Sequence, residues 1–324
     1  MSNTSEIITI RLFRPDADVP PLVALLTTIA AGDKTGATAD EATVRSQLAW
    51  LGHDPTRDRW VAEAPGSGSE LIGHAWVFAQ SPQRSILYAA VVPAWRRQGI
   101  GSALMAQAIL RAREMGASQI VSATRAGRVG SDAFLRRHGF LPAGHARTLT
   151  APATLPPGDP AWPLGYTLRT LAEAADLSLW AEACNRCYGD MWGHRENTEP
   201  ATAEHHAELM RLYPDYFDPA GIFLLFAPDG SLAGICSGRV EGGETGAADV
   251  KVIDSPGVAP SHRHLGLQRP LVLACQHWLS GLGPGNYRLE TWGDSGEAVA
   301  IYRDLGFTVE DDTVEYLQQP IVDA

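Results

Sequence analysis

Residues 91–105 read VVPAWRRQGIGSALM. A hydrophobic run ends at Pro93, two arginines and a glutamine follow, and Gly99 and Gly101 open a segment in which Ile100, Leu104 and Ala108 recur at helical spacing. A strand, then R-x-x-G-x-G, then a helix makes an anion cradle. The first N–H groups of a helix have no internal partner and sit at the positive end of its dipole. Glycines there let the backbone approach the anion, and Arg96 and Arg97 add charge. The loop is not a P-loop, because G-x-x-x-x-G-K-[ST] is absent. It is not a dinucleotide fingerprint either: position 104 is leucine, and the next strand, QIVSATRA (119–126), carries no acid.

The cradle has a counterpart at 258–271, VAPSHRHLGLQRPL. Arg263 minus Arg96, Gly266 minus Gly99 and Gly306 minus Gly139 all give an offset of 167. Other stretches repeat as well. ITIRLFRPDAD (8–18) is echoed by YTLRTLAEAAD (166–176), so that Arg11 matches Arg169 and Asp18 matches Asp176. LIGHAWVFA (71–79) is echoed by LAGICSGRV (232–240), and RRHGF (136–140) by RDLGF (303–307). Between the halves, APATLPPGDPAWPLG holds five prolines and two glycines, which reads as a linker over 151–165. The expected division is therefore an N-terminal domain over 1–150 and a C-terminal domain over 166–324.

Each half reads as a mixed α/β layer. A strand (7–13; 166–171) leads into helical segments (17–51; 173–211) and then three strands (58–64, 71–80, 85–92; 221–226, 232–241, 248–258). After the glycine turn come a helix (101–115; 267–280), a strand (119–124; 286–292), a short helix (130–138; 296–305) and a closing strand pair.

This order resembles the general N-acetyltransferase (GNAT) superfamily across essentially the whole chain, as two tandem copies. The likeness rests on VVPAWRRQGIGSAL with DAFLRRHGF in the first copy, and on VAPSHRHLGL with AVAIYRDLGF in the second. It implies a twisted mixed sheet with a splayed central strand pair, and a loop that binds the pyrophosphate of acetyl-CoA. By that resemblance the cofactor contacts are Val91, Val92, Arg96, Arg97, Gln98, Gly99, Ile100, Gly101 and Ser102 in the first half, and Val258, Arg263, His264, Gly266 and Leu267 in the second. The family's usual acid is a tyrosine four residues before the glycine of the closing GF. That position is Tyr302 in the second half and Leu135, which cannot donate a proton, in the first.

Transfer to an amine also needs a base. On the strand before the second cradle, DVKVIDSPGVAP, Asp254 shares a face with Val252 and Pro256 by alternation, with Asp249 and Glu290 as alternates. The matching strand of the first half, SILYAAVV, has no carboxylate, and Tyr88 there reads as packing. The second cradle places Gln268 where the family has a small residue, and Pro270 two residues on. The segment 187–206 supplies candidate acceptor contacts in Trp192, His194, Arg195 and Glu196. The expectation is acetyl-CoA-dependent N-acetylation of a small amine by the second domain; the rival is an acyl-CoA-binding sensor without transfer.

Composition narrows the partners. A net charge of −11 argues against nucleic-acid binding. With no transmembrane-length run and no signal peptide, a cytoplasmic monomer or homodimer is expected, with no membrane partner. Cys184 and Cys187 form a lone C-x-x-C, and His205 and His206 point in different directions on a helix, so no metal site is expected.

Overall fold

A computed structural model describes residues 8–318 except 37, 51–52, 67–69, 157, 197–198, 215 and 243–248. The expected element ends at Ile7, Leu51 and Ala248 lie outside the described residues. The chain forms two compact units: residues 1–142 with 315–324, and residues 143–314.

In unit 1 the order is β1 (Thr9–Leu12), α1 (Pro15–Asp33), α2 (Glu41–Leu48), β2 (Arg59–Glu63), β3 (Leu71–Ala79), β4 (Arg84–Val91), α3 (Ile100–Glu114), β5 (Gln119–Arg125) and α4 (Val129–Arg137), followed by the start of β6 (Phe140–Ala151). Its sheet runs β1-β2-β3-β4-β5. Neighbours pair antiparallel except β4 and β5, which are parallel. Helix α3 lays Ile100, Leu104, Met105 and Ala108 into the core, the stripe that its sequence spacing requires.

Unit 2 repeats the plan with β7 (Thr167–Thr170), α5 (Leu171–Ala174), α6 (Leu177–Tyr188), α7 (Ala203–Leu212), β8 (Ile222–Phe226), β9 (Leu232–Glu241), β10 (Val250–Val258), α8 (Gln268–Ser280), β11 (Asn286–Trp292), α9 (Gly296–Asp304) and β12 (Thr308–Gln318). Its sheet runs β6-β11-β10-β9-β8-β7, with β10 and β11 parallel. Two of its strands cross the unit boundary. Residues 143–151 of β6 lie in unit 2, where Ala146–Ala151 pair with β11, and residues 315–318 of β12 lie in unit 1.

In both units the central parallel ladder stops early. It covers Arg84–Ile86 against Gln119–Val121, although β4 continues to Val91. It covers Val250–Asp254 against Asn286–Glu290, although β10 continues to Val258. Beyond these points the strand ends are splayed, with no ladder partner on that side among the described residues. No helix among the described residues is long and apolar enough to cross a membrane.

Candidate active site

The first cradle is built as its sequence requires. Gly99 caps α3 at φ 86°, a left-handed conformation that glycine adopts without strain. Ala103 N–H bonds the Gly99 carbonyl; among the described residues, no partner takes the N–H groups of residues 97–102. That run of open donors at a helix start suits a pyrophosphate. Val91, Val92 and Ile100 turn their side chains into the core, so only their backbone groups are available. Ser102 meets His138 Nε2 at 3.1 Å.

Arg96 is placed differently from a phosphate contact. Its Nε donates to the Val91 carbonyl at 2.9 Å, and its Nη groups grip Asp33 at 2.7 and 2.9 Å. Arg263 repeats this, donating Nε to Val258 at 3.0 Å and both Nη groups to Asp190. Each arginine ties the end of the splayed strand to the end of the first long helix or just beyond it. Arg97, exposed at φ 66°, Gln98 and His264 are the outward-facing polar side chains of the loops.

The second cradle offers fewer donors. The N–H of Gly266 goes to Arg263 and that of Arg269 to Gly266, Pro270 has none, and Leu267 and Gln268 remain. Val258 and Leu267 are core side chains.

Unit 2 holds an open cavity of about 500 Å³, a size suited to a small molecule. Asp254, Glu290, His194, His206, Cys184 and Arg147 line it. Asp254 stands where β10 bulges. It pairs with Ser237, but Gly257 is the next residue in register, opposite Ile235. Ser255 and Pro256 therefore both stand opposite Cys236, which breaks the alternation and bends the strand. The bulge is pinned from α6: Tyr188 Oη donates to the Ser255 carbonyl at 2.5 Å. The Tyr188 ring lies so close to Gly257 that a Cβ there would meet it at 2.3 Å. Burial raises the Asp254 carboxyl above the usual carboxylate range, while Arg239, at 3.3 Å, opposes the shift. Arg239 also holds Glu290 at 2.9 Å. Asp249 is exposed at the start of β10 and is not among the lining residues.

Of the four residues offered from 187–206, His194 lines the cavity, stacked on Tyr188 with centroids 5.0 Å apart. Trp192 is buried against Gly144, and Arg195 pairs with Glu196 at 2.6 Å, away from the lining. Burial pushes the Cys184 thiol up to about 12 and His206 down to about 4.

Tyr302 is fully buried, and its hydroxyl donates to Asp294 Oδ2 at 3.1 Å. Asp294 also accepts from Thr291, which lines the cavity. Burial raises the Asp294 carboxyl, and burial followed by Asp294 raises the Tyr302 phenol well above its ordinary value. Asp294 is absent from the sequence-derived candidates: in WGDSGE it has the look of a solvated turn residue. The offset of 167 would have singled it out, since it maps to Gly127 just as Tyr302 maps to Leu135.

Strand registers align the two units. Trp76 faces Tyr88 as Ser237 faces Asp254, and Arg59 faces Trp76 as Ile222 faces Ser237. Tyr88 therefore occupies the Asp254 position, without a bulge. Where unit 2 has its cavity, unit 1 has Trp76 stacked on Tyr88 at 6.0 Å and Trp50 edge-on to Trp76 at 5.6 Å.

A mixed sheet with a splayed parallel pair and a glycine cradle at the splay, formed twice, defines a tandem acyltransferase fold. The sequence model of the Acetyltransferase (GNAT) family matches residues 25–140 and 180–307, and the chain belongs to that family as two GNAT domains. It is similar to the mycothiol acetyltransferase of Pseudarthrobacter chlorophenolicus, at 30% identity over 78% of this chain and 76% of the relative. The mycothiol acetyltransferase of Sanguibacter keddieii is 30% identical, over 81% and 85%. Among solved structures, a GCN5-related N-acetyltransferase from Sphaerobacter thermophilus shares the fold over 98% of both chains, with TM-score 0.70 and 22% identity. A tandem GNAT protein from the clavulanic acid biosynthesis pathway shares it with TM-score 0.57 and 18% identity, over 96% of this chain and 98% of that one.

Proposed function

We propose that this acetyltransferase moves the acetyl group of acetyl-CoA to a primary amine of a small molecule, and that the second domain carries the reaction. The observation that supports this most is the asymmetry between equivalent positions. Unit 2 has a carboxylate on a bulged strand at an open cavity and a tyrosine four residues before the closing glycine; unit 1 has Tyr88 and Leu135 at those positions and aromatic rings in the space.

Acetyl-CoA, when bound, supplies the acyl carbon and a thiolate leaving group. The N–H groups of Leu267 and Gln268, with the loop held by Arg263, cradle its phosphates, and the open edge of β10 receives its arm. Asp254 takes the proton that the acceptor ammonium must lose before it can attack, directly or through one water. Its raised pKa strengthens it as a base. Tyr302 keeps its proton at Oη for the departing sulfur; its hydroxyl is held by Asp294, which Thr291 ties to the cavity wall. His194 and Glu290, which line the cavity, contact the acceptor in this reading. The first domain binds the cofactor at its better-preserved cradle without turning it over. The relatives' name makes a mycothiol precursor the first acceptor to assay.

The test is thiol release from acetyl-CoA with a panel of small amines. Turnover with at least one amine, lost in Asp254→Ala, supports the reading. Turnover that survives Asp254→Ala but not Gly101→Glu would move the reaction to the first domain.

A further inference from the structure

The filled space in unit 1 carries an unbalanced positive charge. Arg59 is 0% exposed, yet neither Nη1 nor Nη2 has a hydrogen-bond partner. Its Nε donates to His53 Nε2 at 2.8 Å, and its Cζ lies 6.0 Å from the Trp76 ring. His74, paired with Val61 on the same sheet face, is 2% exposed and has both ring nitrogens unpartnered. Among the described residues no carboxylate reaches Arg59. The buried acid beside it in sequence, Asp58, is taken by Arg111 Nε at 2.8 Å and by the Asp54 N–H at 2.8 Å.

A guanidinium cannot escape burial by losing its proton at neutral pH; burial lowers Arg59 only to about 10. An unpaired buried cation costs several kcal/mol. A neutral His74 still presents one N–H, since one ring nitrogen always carries the proton. Water could accept from these groups but would leave the charge uncompensated. The unit 2 counterparts of Arg59 and His74 are Ile222 and Ile235, so the feature belongs to unit 1 alone.

We propose that unit 1 binds a small monovalent anion, a halide or a single carboxylate group, between the Arg59 Nη groups and the His74 ring. Unit 1 thus presents a cation where unit 2 has Ile222, two strands from the position that Tyr88 and Asp254 share. The proposal stands on unit 1 alone and does not depend on which domain is catalytic.

Bromide is the probe, because a heavy anion beside Trp76 quenches its fluorescence. With the full chain at constant ionic strength, bromide should give a saturable quenching component, and the thermal midpoint should rise by roughly 3–5 °C per tenfold of anion above the dissociation constant. Arg59→Met keeps the apolar stem and should lose both effects. Formate competition with bromide in the wild-type chain needs no variant. If formate displaces bromide, the site takes carboxylates; if chloride displaces it and formate does not, the site takes halides. Quenching that never saturates, or a saturable component that persists in Arg59→Met, overturns the proposal.

Discussion

Arg263 holds Asp190 with both Nη groups at 2.6 Å while its Nε caps the Val258 carbonyl, and Arg96 holds Asp33 in the same way at the end of β4. Each acid is held below the usual carboxylate range chiefly by its arginine. The arginine of the R-x-x-G loop therefore sets where the loop sits. Because the Arg263 pair is about half exposed (36% and 49%), it contributes about 1 kcal/mol at most, near fivefold in an equilibrium. Asp190→Ala should raise KM for acetyl-CoA by about that factor and leave kcat and the thermal midpoint nearly unchanged. A fall in kcat at constant KM would contradict the positioning role.

Tyr302→Phe removes one hydroxyl from a well-packed core and leaves Asp294 its bond from Thr291. Steady-state kinetics should show kcat reduced about 100-fold with KM nearly constant. Unchanged turnover would remove Tyr302 from the acid role.

Asp254 separates activity from stability. Its folded carboxyl lies above the ordinary value, so folding favours the protonated form. That contribution is fully present below the unfolded-state pKa and is lost as pH rises through the raised folded value. At pH 7 the charged group is therefore a net cost. Asp254→Asn should melt higher than wild type at pH 7, with the advantage vanishing near pH 3, while kcat/KM falls about 100-fold or more. The acid limb of the wild-type kcat/KM profile should lie above the ordinary aspartate value. A lower melting point at pH 7 would refute the sign of this argument.

The two cradles can be told apart by calorimetry. Wild-type protein should bind acetyl-CoA at two sites. Gly101→Glu, which brings a carboxylate against Phe134 and Val91, should remove the tighter site and spare turnover. Gly266→Glu, forced to φ 65°, should abolish turnover and spare the tighter site.

His74 supplies a pH signature. Burial, then Arg59 and His53, lower it to about 3. A depressed pKa gives stability that is complete above the unfolded value near 6.5 and drains away as pH falls toward 3. His74→Ile, the residue unit 2 has there, should flatten the drop in thermal midpoint between pH 7.5 and 5. An equal drop in both proteins would count against it.

The fold was legible because the constraints that fix it are local. Gly99 must adopt a left-handed turn, α3 must bury a stripe, and the GF ending recurs at the same offset. The chemistry of individual side chains was less legible because their partners are distant. Arg96 meets an acid 63 residues away and Arg263 one 73 residues away, so each reads from sequence as a free cation. Asp294 matters only once Tyr302 is folded over it. At Asp254, alternation alone does not describe a strand in which two residues oppose one, and the pin from Tyr188 comes from another element.

Unit 1 draws on residues made long after the elements they join. Tyr316 donates to Asp132 at 2.6 Å, and Gln318 Nε2 to the His138 carbonyl at 3.3 Å, contacts that span 184 and 180 positions. Loops of that length close slowly. Unit 1 therefore cannot complete these contacts until the second repeat has been made. A cut at the proline-rich segment would leave it without these contacts, so the duplicated halves are not modules that can be separated at the boundary the sequence advertises.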